Sequence, residues 1–432
     1  MKIIPERIDR LGPERRASIM RRSMEELTSI YEDMKGIVED VRKRGDAALL
    51  DSCLEYKDKV EPDEMVVTDE EIIRAYDRVD TEVVDALKKA ADNIRRFHEA
   101  QLERDMWSME LCPGVLAGRI TRPLDRVGCY IPGGRAVYPS TILMTILPAI
   151  AAGVKEIFAT TPPRKGMIVP PATLVAADIA GCHRLYKVGG PWGIAALAYG
   201  TDTVQKVDKI VGPGNKYVTA AKMIVYGEVD IDSPAGPSES LILCDQTGDP
   251  RLIAFDFLSQ TEHDPDSAAV IVTTDQNIAE KVCRIIEEEF DTLPRKEIME
   301  SAVRGHSAVL IAQDLDEAIR FTNEYAPEHL EIITEDPFIT LNRIRHAGSI
   351  FMGRYAPVPV GDYASGTNHV LPTGQCARMF SGLSVDDFLK KPTFQYLSRE
   401  GLDSLKDTVV TLAEAEGLPM HARAVKERFR QG

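Results

Sequence analysis

The sequence lacks both glycine signatures that most often mark a nucleotide site: it contains no GxGxxG and no GxxxxGK[ST]. The ordinary Rossmann fingerprint and the P-loop are therefore excluded, though a nucleotide as such is not. Aromatic residues make up only 6% of the chain, too few for the stacking platforms that hold single-stranded nucleic acid. Lys and Arg are interspersed and the formal charge is −16, so no basic face is offered to nucleic acid or to an anionic membrane. Long apolar runs are missing too. The longest, Ile142 to Val154, is interrupted by Thr145, Pro148 and Gly153 and falls well short of a membrane span. Charges enter the N-terminal segment too early for the apolar core of a signal peptide. Seven cysteines, with no CxxC, give neither a disulfide framework nor a zinc knuckle. A reducing cytoplasm fits this usage, and Cys129, beside a motif, reads as a small buried filler.

What is present is ordinary globular composition, 44% hydrophobic and 28% charged over 432 residues, a length that calls for two large domains plus appendages. Residues 1–23 are polar and basic and read as an arm. Thr68 and Glu71 form a capping-box pattern ahead of a helical run from Ile72 to Ala100. Strand-like runs follow at Val115–Ile120 and Val127–Ile131. Short buried strands are then expected at 156–160, 185–188 and 209–211, with helices at 140–152, 171–180 and 193–199 and another after Asn215. The rhythm resumes with strands at 241–244, 268–273, 308–311, 330–333 and 349–351, and helices at 250–261, 276–290, 314–324 and 337–346. Alternation of this kind predicts mostly parallel sheets covered by helices. The fold class is α/β, with two successive α/β units and a small charged, helical appendage from about 384.

Three expected strand ends carry tight glycine turns: Tyr130-Ile-Pro-Gly-Gly134, Val188-Gly-Gly190 and Val211-Gly-Pro-Gly-Asn215. Backbone can approach a ligand closely at such turns, and the following helix N-termini offer N–H groups to phosphate. They are equally well read as good turns and nothing more. Polar residues cluster elsewhere: Gln260-Thr-Glu-His263 at a helix end, Glu328-His329 before a strand, Asp362 and His369 in a polar loop, and Glu416 and His421 near the C-terminus. Gln, Asp and His are competent ligands for a divalent cation, with imidazole favouring zinc, and Gln260 and His263 would share one helix face. No short zinc signature is present. Isolated histidines are usually surface or satisfied core residues, and His98, His183, His306 and His346 take that reading.

Seven segments in order over nearly the whole chain carry a resemblance. Cys129-Tyr-Ile-Pro-Gly-Gly-Arg135, Ile210-Val-Gly-Pro-Gly-Asn215, Ala235-Gly-Pro-Ser-Glu239, Leu258-Ser-Gln-Thr-Glu-His263, Ala326-Pro-Glu-His329, Gly361-Asp-Tyr363 and Thr367-Asn-His-Val-Leu-Pro372 resemble the histidinol dehydrogenases. The resemblance implies two incomplete Rossmann-like domains, a short N-terminal arm and a small helical C-terminal domain that reaches the partner subunit. On this sequence it divides the chain into 1–23, 24–130 with 239–383, 131–238 as the NAD-binding part, and 384–432. It implies a homodimer that oxidises L-histidinol through L-histidinaldehyde to L-histidine with two NAD and one zinc ion per subunit. The implied zinc ligands are Gln260, His263, Asp362 and, from the other subunit, His421. These four would also face the substrate, together with Ser238, His329 and the other subunit's Glu416. His329 is the implied general base and Glu328 the residue that activates water. His369 is a further substrate contact.

For NAD, Tyr130 and Asn215 match the family's contact positions. The third position departs: Trp192 stands in Gly189-Gly-Pro-Trp192 where the family has Gln. A Trp can stack on a flat ring but cannot supply an amide's paired donor and acceptor. Two other readings stand beside the first. One is a relative with the same machinery and another small alcohol, such as a sulfonated propanediol. The other is a zinc hydrolase or metal-binding paralogue without NAD.

Overall fold

A computed structural model describes residues 3–22, 28–133, 137–234 and 236–430. Gly134, Arg135 and Ala235 of the motifs above, and residues 1, 2 and 23 of the expected arm, lie outside the described residues. By contacts the chain forms two compact units, Met1–Gln101 with Leu124–Phe388, and Leu102–Pro123 with Leu389–Gly432.

The larger unit is built on two parallel sheets. The first has six strands in the order Glu6–Arg7, Ala308–Ile311, Ala268–Thr273, Glu239–Cys244, His329–Ile333 and Ser349–Met352, every pair parallel. Its inner strands are buried on both faces, as continuous apolar runs such as Ala-Ala-Val-Ile-Val-Thr require. One apolar cluster fills each face of this sheet. The chain order reverses between Glu239–Cys244 and His329–Ile333, which makes that pair the switch point. The second sheet runs Arg184–Tyr186, Glu156–Thr160, Arg126–Tyr130, Lys209–Val211 and Asp230–Ile231, again all parallel. Its switch point lies between Arg126–Tyr130 and Lys209–Val211. Helices that cover the sheets start where the sequence supplies caps. Asp249 Oδ1 accepts from Arg251 N (2.9 Å) ahead of Pro250–Thr261, and Asp314 Oδ1 accepts from Glu317 N (2.7 Å) ahead of Leu315–Tyr325.

The smaller unit pairs Val115–Ile120 with Met106–Cys112 on one side and Thr393–Leu397 on the other, all antiparallel. Helices Arg399–Ala415 and Pro419–Glu427 complete it. No helix among the described residues is long and apolar enough to cross a membrane.

The α/β class and most inner strands agree with the sequence reading. Several details differ. The N-terminal segment contributes strand Glu6–Arg7 to the six-stranded sheet. The run from Ile72 to Ala100 is two helices, Asp69–Tyr76 and Thr81–Glu99, the first closed by the expected Thr68/Glu71 capping box. Helix Pro337–Leu341 stops short of His346. Arg126–Tyr130 is the central strand of the five-stranded sheet, and 102–123 packs with the C-terminal segment. Strands Met106–Cys112 and Thr393–Leu397 and helix Lys296–His306 were not foreseen. Met106–Cys112 buries neither face, so no alternation marks it.

Candidate active site

Two strands begin side by side at the amino edge of the six-stranded sheet, and their first residues form the centre of the site. Ser240 pairs in register with His329, which sets Glu239 beside Glu328. The two acids bond reciprocally: Glu239 N donates to Glu328 Oε2 (2.8 Å) and Glu328 N donates to Glu239 Oε1 (3.1 Å). Ser238 Oγ also donates to Glu328 Oε2 (2.9 Å). The Glu239 carbonyl faces His329 Nδ1 at 3.1 Å, so the Nδ1–H donates there and fixes the ring. The chain enters this corner through Ala326, a residue with φ of 48°. A side chain in that region stores strain, and Ala326 is fully buried.

Of the remaining groups, two come from helices and one from a loop. Gln260, in the last turn of Pro250–Thr261, donates Nε2 to Ser238 Oγ (3.1 Å). Its Oε1 is buried without a hydrogen-bond partner, and His329 Nε2 is buried without one of good geometry. Asp362 lies in Val358–Tyr363, with Oδ1 3.4 Å from His329 Nε2. That helix is anchored where Val358 N donates to Glu331 Oε1 (2.9 Å). His369 bridges: Nδ1 meets the Asp362 carbonyl at 3.0 Å and Nε2 meets Thr141 Oγ1 at 3.2 Å. Both His369 nitrogens are thus engaged by protein.

Electrostatics follow from burial and neighbours. Burial pulls the His329 imidazole down, but Glu328 and Asp362 overcome it and hold the ring well above its ordinary value. Burial opposes charge on Asp362, yet His329, with His369 and His263 nearby, holds its carboxyl below the usual range. Burial lowers His369. Burial pushes the Glu239 carboxyl up to about 7 against the pull of the Arg22 guanidinium. Behind the site, burial raises Glu331 to about 8 and Asp256 to about 6, and the charge of Asp256 adds to the rise at Glu331.

The structure thus brings Ser238, Gln260, Glu328, His329 and Asp362 together. His263 follows the helix that carries Gln260, is exposed, and lies near Asp362. Glu416 and His421 belong to the smaller unit, where Glu416 caps helix Arg399–Ala415 and His421 lies in the first turn of Pro419–Glu427, both exposed. Among the described residues no three His, Cys, Asp or Glu side chains converge as a metal cluster. The histidines read as unremarkable include His98, fully buried with Nδ1 on the Ile94 carbonyl, and His183, which accepts from Ile157 N.

The glycine turns lie at the carboxyl edge of the five-stranded sheet. Tyr130 OH accepts from Gly190 N (3.1 Å) and braces the second turn. Asn215 caps helix Lys216–Val225 through Oδ1, which accepts from Tyr217 N (3.1 Å) and Val218 N (3.2 Å). Trp192 sits half-buried in the first turn of Gly190–Tyr199. Gly212 has φ of 118°, and a Cβ there would stand 2.2 Å from the Tyr130 carbonyl oxygen, so glycine is required. A buried ion pair holds this turn. Asp232 Oδ2 accepts from Gly212 N (2.7 Å), Lys222 Nζ donates to Gly212 O (3.0 Å), and the two side chains pair.

Sequence reasoning gave no role to Glu239, Glu331, Asp256, Lys222 or Arg22. A signal existed: an acid within an otherwise apolar strand or helix, as in Glu-Ser-Leu-Ile-Leu-Cys, His-Leu-Glu-Ile-Ile and Ala-Phe-Asp-Phe-Leu. Acids are almost never fully buried unless paired, so an acid in such a run marks a partnered position.

Comparison with known proteins bears on this geometry. Residues 20–429 match the family model described as histidinol dehydrogenase. A histidinol dehydrogenase of Methanococcus maripaludis is 51% identical over 428 residues, covering 99% of this chain and 100% of that protein. One from Methanocaldococcus jannaschii is 51% identical, covering 99% of each. The crystal structure of a histidinol dehydrogenase from Elizabethkingia anophelis superposes with a TM-score of 0.93 at 38% identity, over 99% of this chain and 98% of that one.

Proposed function

The chain belongs to the histidinol dehydrogenase family, and from that premise we propose that it oxidises L-histidinol through L-histidinaldehyde to L-histidine, the last steps of histidine biosynthesis, with two NAD in succession and one zinc ion per subunit. The observation that carries the reading is a buried Gln260 Oε1 with no hydrogen-bond partner, beside a buried His329 Nε2 whose neighbour, Asp362 Oδ1 at 3.4 Å, pairs with it by charge and without hydrogen-bond geometry. Buried polar atoms are almost always satisfied; a cation at Gln260 and a substrate hydroxyl at His329 would satisfy these two.

The residues fit zinc. Gln260, His263 and Asp362, with His421 of the partner subunit, give one amide oxygen, one carboxylate and two imidazoles, a donor set suited to that ion. The unpartnered Gln260 oxygen supports the assignment. Bound zinc would supply an anchor for the amine and imidazole of histidinol. Were Asp362 to hold the cation, His329 would lose one of the two carboxylates that raise its pKa. Its Nδ1–H stays on the Glu239 carbonyl, which directs Nε2 at the substrate. His329 Nε2 then takes the alcohol proton as hydride leaves the carbon. NAD supplies the hydride acceptor for both oxidations. Glu328 removes a proton from the water that adds to the aldehyde, and its Oε2 is held for that task by Ser238 Oγ and Glu239 N. Ser238 and Glu416 of the partner subunit hold the substrate's polar groups.

NAD binding at Tyr130, Trp192 and Asn215 is supported by the turns at the carboxyl edge of the second sheet, the usual ligand edge in open α/β sheets. Dimerisation is supported by edge strand Met106–Cys112, where Met106, Trp107, Met109 and Leu111 are all exposed. The seven cysteines, none in a disulfide, suit a reducing cytoplasm.

The test is NADH formation by purified protein with zinc, NAD and limiting L-histidinol. Two NADH per histidinol are expected, and a chelator should abolish the signal. Turnover of other small alcohols but not histidinol would overturn the substrate assignment, and absence of NAD binding would overturn the dehydrogenase itself.

A further inference from the structure

Arg22 lies far from the reacting groups in sequence, in the N-terminal segment, yet its guanidinium reaches the floor of the site. Its side chain and that of Glu239 are each 2% exposed, and Arg22 Nη1 pairs with Glu239 Oε1 at 2.7 Å. The same guanidinium stacks 3.6 Å from the centre of the Tyr325 ring and donates Nη2 to the Tyr325 carbonyl. Tyr325 ends the helix that leads through Ala326 and Pro327 to Glu328. Arg22 therefore grips both approaches to the reacting pair: the strand start at Glu239 and the turn into Glu328-His329. Its own backbone has φ of 56°, a strained value for an arginine that the surrounding contacts must hold.

We infer that Arg22 is a positioning residue, which through Glu239 and Tyr325 sets the geometry of Glu328 and His329. The inference rests on the roles proposed above for that pair. Glu239 contacts both partners, through its carboxylate to Glu328 N and through its carbonyl to His329 Nδ1. A buried carboxylate that loses its countercharge must take up a proton or move towards water. Either response weakens the acceptor on Glu328 N and shifts the carbonyl that orients the imidazole. Lysine keeps the charge but not the planar fork that serves Glu239 and the Tyr325 carbonyl together.

The test compares the full-length zinc-loaded wild type with Arg22→Met, Arg22→Lys and the double variant Arg22→Met/Glu239→Gln. Displacement of a reacting group by about an ångström costs on the order of 100-fold in rate. Arg22→Met should therefore lower kcat by roughly 10- to 100-fold, with KM for histidinol within about 3-fold and zinc content unchanged. Arg22→Lys should fall between. In the double variant the uncompensated charge is gone while an oxygen acceptor for Glu328 N remains, so most of the lost kcat should return. A second readout needs no turnover: the ¹⁵N-imidazole resonances of His329, identified by their loss in His329→Asn. The slowly exchanging Nδ1–H should be present in the wild type and lost or exchange-broadened in Arg22→Met. A folded Arg22→Met with wild-type kcat and an unchanged imidazole signal overturns the inference, and so does a double variant no faster than Arg22→Met. If Arg22→Met does not fold, Arg22→Lys decides by the same two readouts. A wild type inactive on histidinol overturns the proposed function instead, and the imidazole signal still decides the positioning role.

Discussion

Glu331→Gln should make the protein less sensitive to alkaline pH. Glu331 is buried on strand His329–Ile333, its Oε1 accepts from Val358 N, and its Oε2 has no hydrogen-bond partner of good geometry. Burial, reinforced by Asp256, raises its carboxyl to about 8 from an ordinary 4.5. A raised acid binds its proton more tightly in the folded chain than in the unfolded one. Between those two values the folded state holds more protons, so stability falls as pH rises and the loss levels off above about 8. Each pKa unit corresponds to about 1.4 kcal/mol, which sets a ceiling of roughly 4–5 kcal/mol for this group. Gln keeps the Oε1 acceptor and removes the titration. The assay is urea unfolding from about pH 5 to about pH 9. The wild type should lose up to about 4 kcal/mol more than the variant across that range, spread evenly between about pH 5 and 8. Parallel pH profiles for the two proteins would refute the argument.

Three further outcomes are expected. His329→Asn should lower kcat by about 10²- to 10⁴-fold with KM for histidinol little changed; a loss under about 5-fold in steady-state assays removes it as the base. Subunits carrying His421→Ala and subunits carrying His329→Ala, each inactive alone, should regain activity when unfolded together and refolded as mixed dimers, and failure of every mixture would show that the site is not shared. Lys222→Met leaves Asp232 buried without its cation and should cost about 3–5 kcal/mol in urea unfolding, with KM for NAD raised because the Gly212 turn loses its clamp. Lys222→Met/Asp232→Leu should recover much of that stability, and equal stability of Lys222→Met and wild type would remove the pair as a structural element.

Much of this was legible in the sequence because parallel strands buried on both faces read as short continuous apolar runs. Ala268–Thr273 and Ala308–Ile311 have the limits their residues announce. The strand Met106–Cys112 was not legible, since a strand with exposed residues on both faces has no period to detect. Arg22 reads as one more basic residue in a polar arm; only the fold buries it under Tyr325. Gln260, His263, Asp362 and His421 have no shared spacing, and only the order of the motifs around them joined them into one proposal. Trp192 was legible as a departure, but the sequence starts the helix at 193; the structure starts it at Gly190, which sets Trp192 half-buried in its first turn.

The polarity of the two sheets explains why the proposed ligands sort as they do. In a parallel α/β layer the helices run back against the strands, so helix N-termini gather at the carboxyl edge and helix C-termini at the amino edge. The first favour anions and the second favour cations. The glycine turns after Arg126–Tyr130 and Lys209–Val211 lie at a carboxyl edge, where helices Gly190–Tyr199 and Lys216–Val225 begin, and a pyrophosphate suits that field. Glu239 and His329 open their strands at an amino edge, and Gln260 stands in the last turn of the helix that returns there. A zinc ion and a readily protonated imidazole suit that one. The amino edge is the opposite of where open parallel sheets usually take ligands, so a search confined to the carboxyl ends of the six-stranded sheet would miss the site. The two edges meet through one chain of contacts: Thr141, in the first turn of the helix after Arg126–Tyr130, bonds His369, which bonds the Asp362 backbone. The proposed reaction brings an anionic cofactor and a zinc ion to one small substrate. A carboxyl edge of one sheet linked by these contacts to an amino edge of another would favour both with backbone dipoles, before any charged side chain is counted.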